Sequence, residues 1–250
     1  MPGILYLIPN TLGPVDLDRA DPLAEIIPET VRSIAAGLEY FIAENAKTTR
    51  AFLKTVALGH PLARPLQEIR ISELNVNTDA GKLPELLAPI LNGADGGLIS
   101  EAGVPAVADP GANLVRMAHA HKIRVRPLVG PSSLLLAVMA SGLNGQSFAF
   151  NGYLPIDPTE RTKRIKLLED RSRQEKQTQI FIETPYRNGA CFEALINHCK
   201  TSTLVCVATD LSLPSEAITM QAVGKWKSDF AGGRVPDFQK KPTVFLMLAD

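Results

Sequence analysis

Short apolar runs alternate with segments of helical periodicity through the first half of the chain, and this alternation constrains the fold more than any other feature. The runs are "ILYLI" (4–8), "LEYFIAE" (38–44), "LQEIRISEL" (66–74), "GGLIS" (96–100) and "IRVRPLV" (123–129). Between them lie "PETVRSIAAG" (28–37), the amphipathic "AKTTRAFLKTV", "LPELLAPILNG" closing on Gly93, and a helix from about Ala112 to His121. Runs too short for helices, each followed by a helix, predict a parallel sheet covered on both faces. The second half supplies five more strand candidates: "SFAFNGYL" (147–154), "TQIFIET" (178–184), "TLVCVATDL" (203–211), "EAITMQAV" (216–223) and "PTVFLMLA" (242–249). The last three are joined by short stretches, which implies antiparallel pairing among them. The expected fold class is therefore α/β, with two α/β domains. Residues 1–129 form a parallel domain and 130–250 a mixed one.

A balanced charge, 26 Lys and Arg against 26 Asp and Glu, argues against a nucleic-acid coat or a membrane-surface protein. No apolar stretch approaches the roughly 18 residues needed to span a bilayer. The opening "MPGILYLIPN" has no basic leader and is broken at Pro9, as a buried first strand would be. The three cysteines, Cys191, Cys199 and Cys206, form no CxxC pair and suit a reducing compartment as small core residues. A cytoplasmic protein is expected.

Within this frame "LISEAGVPAVADPGA" (98–112) is unusual. A plain crossover needs only a few residues, whereas this one is long, acidic and built from small side chains. Ligands of open α/β sheets bind beyond the carboxyl ends of the strands. Gly103 and the alanines would let a ligand touch backbone, Pro105 and Pro110 stiffen the loop, and Asp109 is placed to cap the helix that follows. The next strand ends in "VGPSSLLLAVMASG", where Ser132 and Ser133 open a helix carrying seven consecutive apolar residues, expected to be buried on most sides. Two such loops on neighbouring strands are best explained together as one ligand site.

No GxGxxG follows the first strand and no GxxxxGK[ST] occurs, so the dinucleotide and P-loop phosphate cradles are missing. The four histidines are scattered, no metal set is expected, and "GPSS" is not a nucleophile elbow. Methyl transfer from S-adenosylmethionine needs neither metal nor protein nucleophile: the sulfonium carries its own leaving group, and the protein aligns donor and acceptor and excludes water.

These motifs resemble the class III S-adenosylmethionine-dependent methyltransferases, the tetrapyrrole methylase superfamily. More narrowly, the chain is similar to the branch of ribosomal RNA small subunit methyltransferase I, which methylates a cytidine ribose 2′-oxygen. "SEAGVP", "ADPG", "VGPSS", "GYLP" and "FIETPYR" stand where that branch shows "SDAGTP", "SDPG", "PGP", "GFLP" and "F-ES-HR". "LYLIPNTLG" resembles its first strand and loop, and "FIAENAKTTRAFL" its "AEDTR" segment. The resemblance implies S-adenosylmethionine as cofactor, held in an interdomain cleft, and a homodimer. It implies donor contacts from Leu12, Glu101, Val104, Val107, Ser132, Ser133, Thr184, Ala208 and Thr243, and an acceptor that is RNA or, as the alternative, a tetrapyrrole or other small molecule. A donor-binding protein without turnover is a further alternative.

Glu44, at a strand end on the cleft side, and Arg187, at a helix start where its charge opposes the dipole, are the candidate catalytic residues. The sequence departs from the branch at "ENAKTTR", which keeps Glu44 and Arg50 but loses an Asp-Thr pair, and at "TDLSL" (209–213), which loses a basic residue at each end. It thus resembles a divergent paralogue. A segment at 160–176 with seven basic and four acidic residues reads either as a solvated helix with ion pairs or as an RNA-facing patch.

Overall fold

A computed structural model describes residues 1–250. The chain divides into two compact units, Met1–Ser132 and Ser133–Asp250.

In the first unit, β1 (Ile4–Ile8), β2 (Tyr40–Ala43), β3 (Arg70–Glu73), β4 (Gly96–Ile99) and β5 (Arg124–Pro127) form one sheet in the order β3-β2-β4-β1-β5. Every pairing is parallel. Helices α1 (Glu29–Gly37) and α2 (Ala46–Val56) join one core cluster with Ile8, Phe41 and Ile99. Helices α3 (Leu83–Leu91) and α4 (Gly111–Ala120) join a second with Leu5, Ile42 and Leu98. Alternate side chains of one strand thus feed two cores, one per face. The central strand β4 opens with two glycines because its neighbours' large side chains fill the space above it. A Cβ on Gly97 would lie 2.5 Å from Ile8 Cδ1, and one on Gly96 2.9 Å from Ile90 Cδ1.

The connection leaving β1 leads to α1 on one face, and that leaving β4 leads to α4 on the other. The carboxyl ends of these adjacent strands are therefore the switch point at which open α/β sheets hold ligands.

In the second unit, β6 (Phe148–Tyr153), β7 (Thr178–Glu183), β8 (Leu204–Thr209), β9 (Ala217–Ala222) and β10 (Thr243–Leu248) run in the order β6-β7-β10-β8-β9. β6 and β7 are parallel; β10 lies antiparallel to both β7 and β8, and β9 antiparallel to β8. Helices α6 (Pro158–Glu175), α7 (Asn188–His198) and α8 (Val223–Ala231) share a core with the sheet residues Phe181, Val207 and Phe245. There Phe181 stacks on Phe245 at 5.8 Å, and Phe192 meets Trp226 edge-on at 5.2 Å. Trp226 Nε1 donates to the Val205 carbonyl at 3.0 Å. The three cysteines are buried, and burial pushes each thiol up to about 12.

Helix α5 (Ser133–Ser141) departs from expectation. Only Ala137 and Ser141 are buried, whereas Leu135 and Met139 are 53% and 78% exposed. The seven-residue apolar run has no polar face, so the side turned away from the sheet is bare hydrocarbon. Helix α8 was not anticipated from sequence, because it follows β9 without an intervening turn and its N-cap Ala222 makes no side-chain cap.

Candidate active site

At the carboxyl end of the first sheet, the loops after β1 and β4 are tied to each other. Asn10 N–H donates to the Gly103 carbonyl at 2.8 Å and Gly103 N–H to the Thr11 carbonyl at 3.3 Å. Asn10 Nδ2 reaches the carbonyls of Ser100 (3.2 Å) and Glu101 (3.0 Å). Asn10 is buried, so these bonds leave its amide satisfied and lock the two loops in register.

Gly103 is where three loops meet. Its φ is +66°, and a Cβ there would stand 3.1 Å from Leu12 Cδ2 and 3.4 Å from the Pro131 carbonyl oxygen. Left-handed backbone recurs in the same loop at Ala106 (φ 66°) and Ala108 (φ 62°), each costing roughly 1–2 kcal/mol for an L-residue. Asp109 holds this shape: Oδ2 accepts from Ala106 N–H at 2.8 Å and Oδ1 from Gly111 N–H at 2.7 Å. Asp109 thus satisfies the first N–H of α4 from one residue before its N-cap, Pro110, where it was expected to be the cap itself, and it also pins the strained turn. Burial raises its carboxyl above the usual range, backbone N–H groups of Gly111 and Ala106 oppose the rise, and the charge of Glu44 adds to it. Strain of this kind concentrates at ligand clamps.

Glu44 follows β2, and its N–H extends the ladder to the Ile99 carbonyl at 3.1 Å. Its Oε2 accepts from Glu101 N–H at 3.1 Å, so the candidate catalytic acid is anchored to the donor loop. Leu12, Val104 and Ser132 are half-buried in this region, while Glu101 and Val107 are exposed. Ser133 is the first residue of α5.

In the second unit, Thr184, Ala208 and Thr243 gather at one end of the sheet. Thr243 pairs with Glu183 and Thr209, and Val244 with Ala208. Their side chains do not share a face: β-strand alternation sends Thr243 to the side of Thr209 and Glu183, opposite Ala208. The Thr243 hydroxyl accepts from Asn188 Nδ2 at 3.0 Å and donates to the Lys241 carbonyl at 3.1 Å, so its polar capacity is used within the fold.

Arg187 sits at the N-cap of α7, and the structure supplies the partner that offsets its unfavourable position. Its Nε and Nη2 donate to Glu183 Oε1 at 2.8 and 2.5 Å, and Thr184 N–H donates to the same oxygen at 2.7 Å. The guanidinium is thus committed to a carboxylate whose side chain is 1% exposed. Arg187, a candidate catalytic group, is thus held at the β7–α7 turn by Glu183 with its side chain 29% exposed. Glu183 was missed as a candidate, although its spacing of four from an arginine is a visible signal.

The charged segment at 160–176 forms most of α6, capped by Asp157 Oδ1 on Glu160 N–H at 2.9 Å. Arg161 is buried with Nη1 on the Ile156 carbonyl, Arg164 donates to Asn151 Oδ1, and Lys163 pairs with Glu160 at 2.7 Å. Arg171 and Arg173 pair with Glu175 and Asp170. The segment is thus a helix in which Lys163, Arg171 and Arg173 are ion-paired.

No family model matches the chain. Among curated proteins, ribosomal RNA small subunit methyltransferase I of Xylella fastidiosa (strain Temecula1) is 31% identical over 217 residues, covering 87% of this chain and 71% of that protein. Its counterpart in Escherichia coli O157:H7 is 29% identical over 223 residues, covering 89% and 70%. Among solved structures, the methyltransferase CobJ superposes with a TM-score of 0.62 at 17% identity, covering 99% of this chain and 94% of that one. The cobalt precorrin-4 methyltransferase CbiF gives 0.57 at 14% identity, covering 98% and 94%. These structures share the tetrapyrrole methylase fold, and methyltransferases of this superfamily use S-adenosylmethionine. With nearly nine-tenths of its length aligned to curated relatives and its fold matched end to end, the chain is a methyltransferase and belongs to the ribosomal RNA small subunit methyltransferase I family.

Proposed function

We propose that the protein binds S-adenosylmethionine against the loops after β1, β4 and β5 and transfers its methyl group to a ribose oxygen of RNA. The convergence of Leu12, Gly103 and the Pro131 carbonyl carries this reading: the three loops pack so closely that a Cβ at Gly103 would crowd the other two, which fixes them as one apolar platform at the switch point. Adenosine needs such apolar contact plus a few fixed polar groups. Leu12, Val104 and Val107 supply the former, and Ser132 and Ser133 the latter. When bound, the donor supplies an electrophilic methyl group with its own leaving group. Glu101 places a carboxylate in the donor loop, where it favours a cation. Glu44, oriented by the Glu101 N–H, is the candidate to hold or accept the acceptor's hydroxyl proton. Thr184, Ala208 and Thr243 are proposed as donor contacts on the support of the family resemblance, Thr243 through its backbone because its hydroxyl is engaged by Asn188 and the Lys241 carbonyl.

Calorimetric titration with S-adenosylmethionine tests the donor site. Replacing both Ser132 and Ser133 by valine should weaken binding by tenfold or more, since each loses a polar partner worth about 0.5–1.5 kcal/mol. Unchanged affinity would overturn the placement. Methyl incorporation into RNA, compared with incorporation into tetrapyrroles or other small molecules, then decides the acceptor.

A homodimer belongs to the same proposal. Leu135 and Met139, one helical turn apart on α5, are exposed together with Met220 on β9. Contiguous exposed hydrocarbon marks a protein contact. Light scattering should give twice 27.0 kDa, and Met139→Glu should return the protein toward 27.0 kDa. A wild-type mass of 27.0 kDa at micromolar concentration overturns the dimer. No helix of the chain is long and apolar enough to cross a membrane. Action in the cytoplasm is proposed from the family's ribosomal RNA small subunit methyltransferases.

A further inference from the structure

A second cavity lies wholly within the first unit. It has a volume of about 690 Å³ and sits between the loop after β1 and the outer face of α2. Its apolar wall is made by Val15, Leu17, Leu23, Phe52 and Leu58. The loop alternates in character: Val15 and Leu17 line the cavity, whereas Asp16 and Asp18 do not and are exposed. The other loop charges are largely satisfied locally, Arg19 by Glu25 and Asp21 by Arg32. The loop is therefore folded with its apolar side over the hollow, and the hollow's size is that of a small-ligand site, about 300–1,000 Å³. Glu101 also lines it, which places it beside the donor loop.

Along its rim runs a row of cations. Lys47, Arg50 and Lys54 occupy positions i, i+3 and i+7 of α2, so they share one stripe about 10 Å long. All three are exposed, and none is among the ion pairs of the structure, in contrast to the paired arginines of α6. Lys54 belongs to both features, since it also lines the cavity. Three unpaired cations on a short helix whose carboxylates lie elsewhere form an anionic-ligand track in a chain of zero net charge.

We propose that this cavity receives an unstacked nucleotide of the RNA acceptor, its base against the apolar surface of Leu17, Leu58 and Val15 and its flanking phosphates on Lys47, Arg50 and Lys54. The proposal rests on the RNA reading given above and adds to it where the RNA is gripped. Single-stranded bases are recognised by unstacking onto apolar or aromatic surface while a cationic groove follows the backbone. A cavity and a row that meet at Lys54 provide both halves of that recognition. The neutral chain then holds RNA over a few nucleotides, without an extended basic track.

The test uses the full-length protein and two RNA probes, a hairpin with a single-stranded loop and a fully paired duplex of the same length. The wild type should bind the hairpin more tightly than the duplex, with affinity falling as salt rises. The triple variant Lys47→Gln, Arg50→Gln, Lys54→Gln should flatten the log–log salt slope by about two units, at roughly 0.7 per single-strand phosphate contact. Ala51→Phe, which fills the cavity from its helical wall, should abolish the preference for the hairpin while leaving the salt slope in place. Affinity for S-adenosylmethionine should be unchanged in both variants, which shows that the fold and donor site are intact. If the wild type binds the hairpin but neither variant alters slope or preference, the nucleotide site is overturned and the RNA reading stands. If the wild type binds neither RNA yet methylates a small molecule, the RNA reading itself fails and the site with it.

Discussion

Replacing Arg187 by alanine will destabilise the second unit by about 3–5 kcal/mol, toward the lower end because the guanidinium is partly exposed. Glu183 is the reason. Its Oε1 takes three hydrogen bonds, two from Arg187 and one from Thr184 N–H, and its Oε2 is buried with no partner. Without the guanidinium a buried carboxylate keeps only one backbone donor. Adding Glu183→Gln to Arg187→Ala should recover much of the loss, because a neutral amide does not need a counter-charge. Urea unfolding followed by the fluorescence of Trp226, the single tryptophan and a core residue of that unit, reads both variants. Should Arg187→Ala leave the transition midpoint unchanged while turnover collapses, the arginine acts on substrate and not through Glu183.

The other large effect is expected at the donor loop. Gly103→Val places a β-branched residue at φ +66° and drives its Cβ against Leu12 and the Pro131 carbonyl. The backbone penalty alone is about 1–2 kcal/mol, and displacement of two neighbouring loops adds to it. Affinity for S-adenosylmethionine should fall by about 30-fold or more, since each 1.4 kcal/mol is a factor of ten. Gly103→Ala should move it in the same direction by less. The Trp226 unfolding transition should hardly move, because the strain is confined to the first unit. A valine variant that titrates like the wild type would show that the donor binds away from this loop.

The first unit was legible because each strand and helix carries its own local markers. The segment 46–56 was delimited to the residue, with Asn45 accepting from Lys47 N–H and Thr48 N–H at its start. The donor loop declared itself through Gly103, Pro105, Asp109 and Pro110, residue types with fixed local consequences. The bonds of Asn10 to Ser100 and Glu101 were invisible, since partners 90 and 91 residues apart leave no periodic trace. Helix α5 was misjudged for a related reason: an apolar run reports preference for burial, and neighbours decide which of its sides is covered. In α6, counting charges registered seven basic residues but not the carboxylates and carbonyls that engage most of them. Arg187 looked free because its partner belongs to the preceding strand, and only the tight turn between them folds the pair together.

The position of β10 has a consequence during synthesis. Residues 243–248 emerge from the ribosome after β1 to β9, yet they occupy the middle of the second sheet, between β7 and β8. The first unit contains all of its own strands by Pro127 and folds while translation continues. The second cannot close: until Thr243 is made, β7 and β8 each present an unpaired apolar edge, the kind that recruits foreign strands. A chain arrested before Thr243 therefore carries two open apolar edges in the second unit, and aggregation or proteolysis competes with its completion.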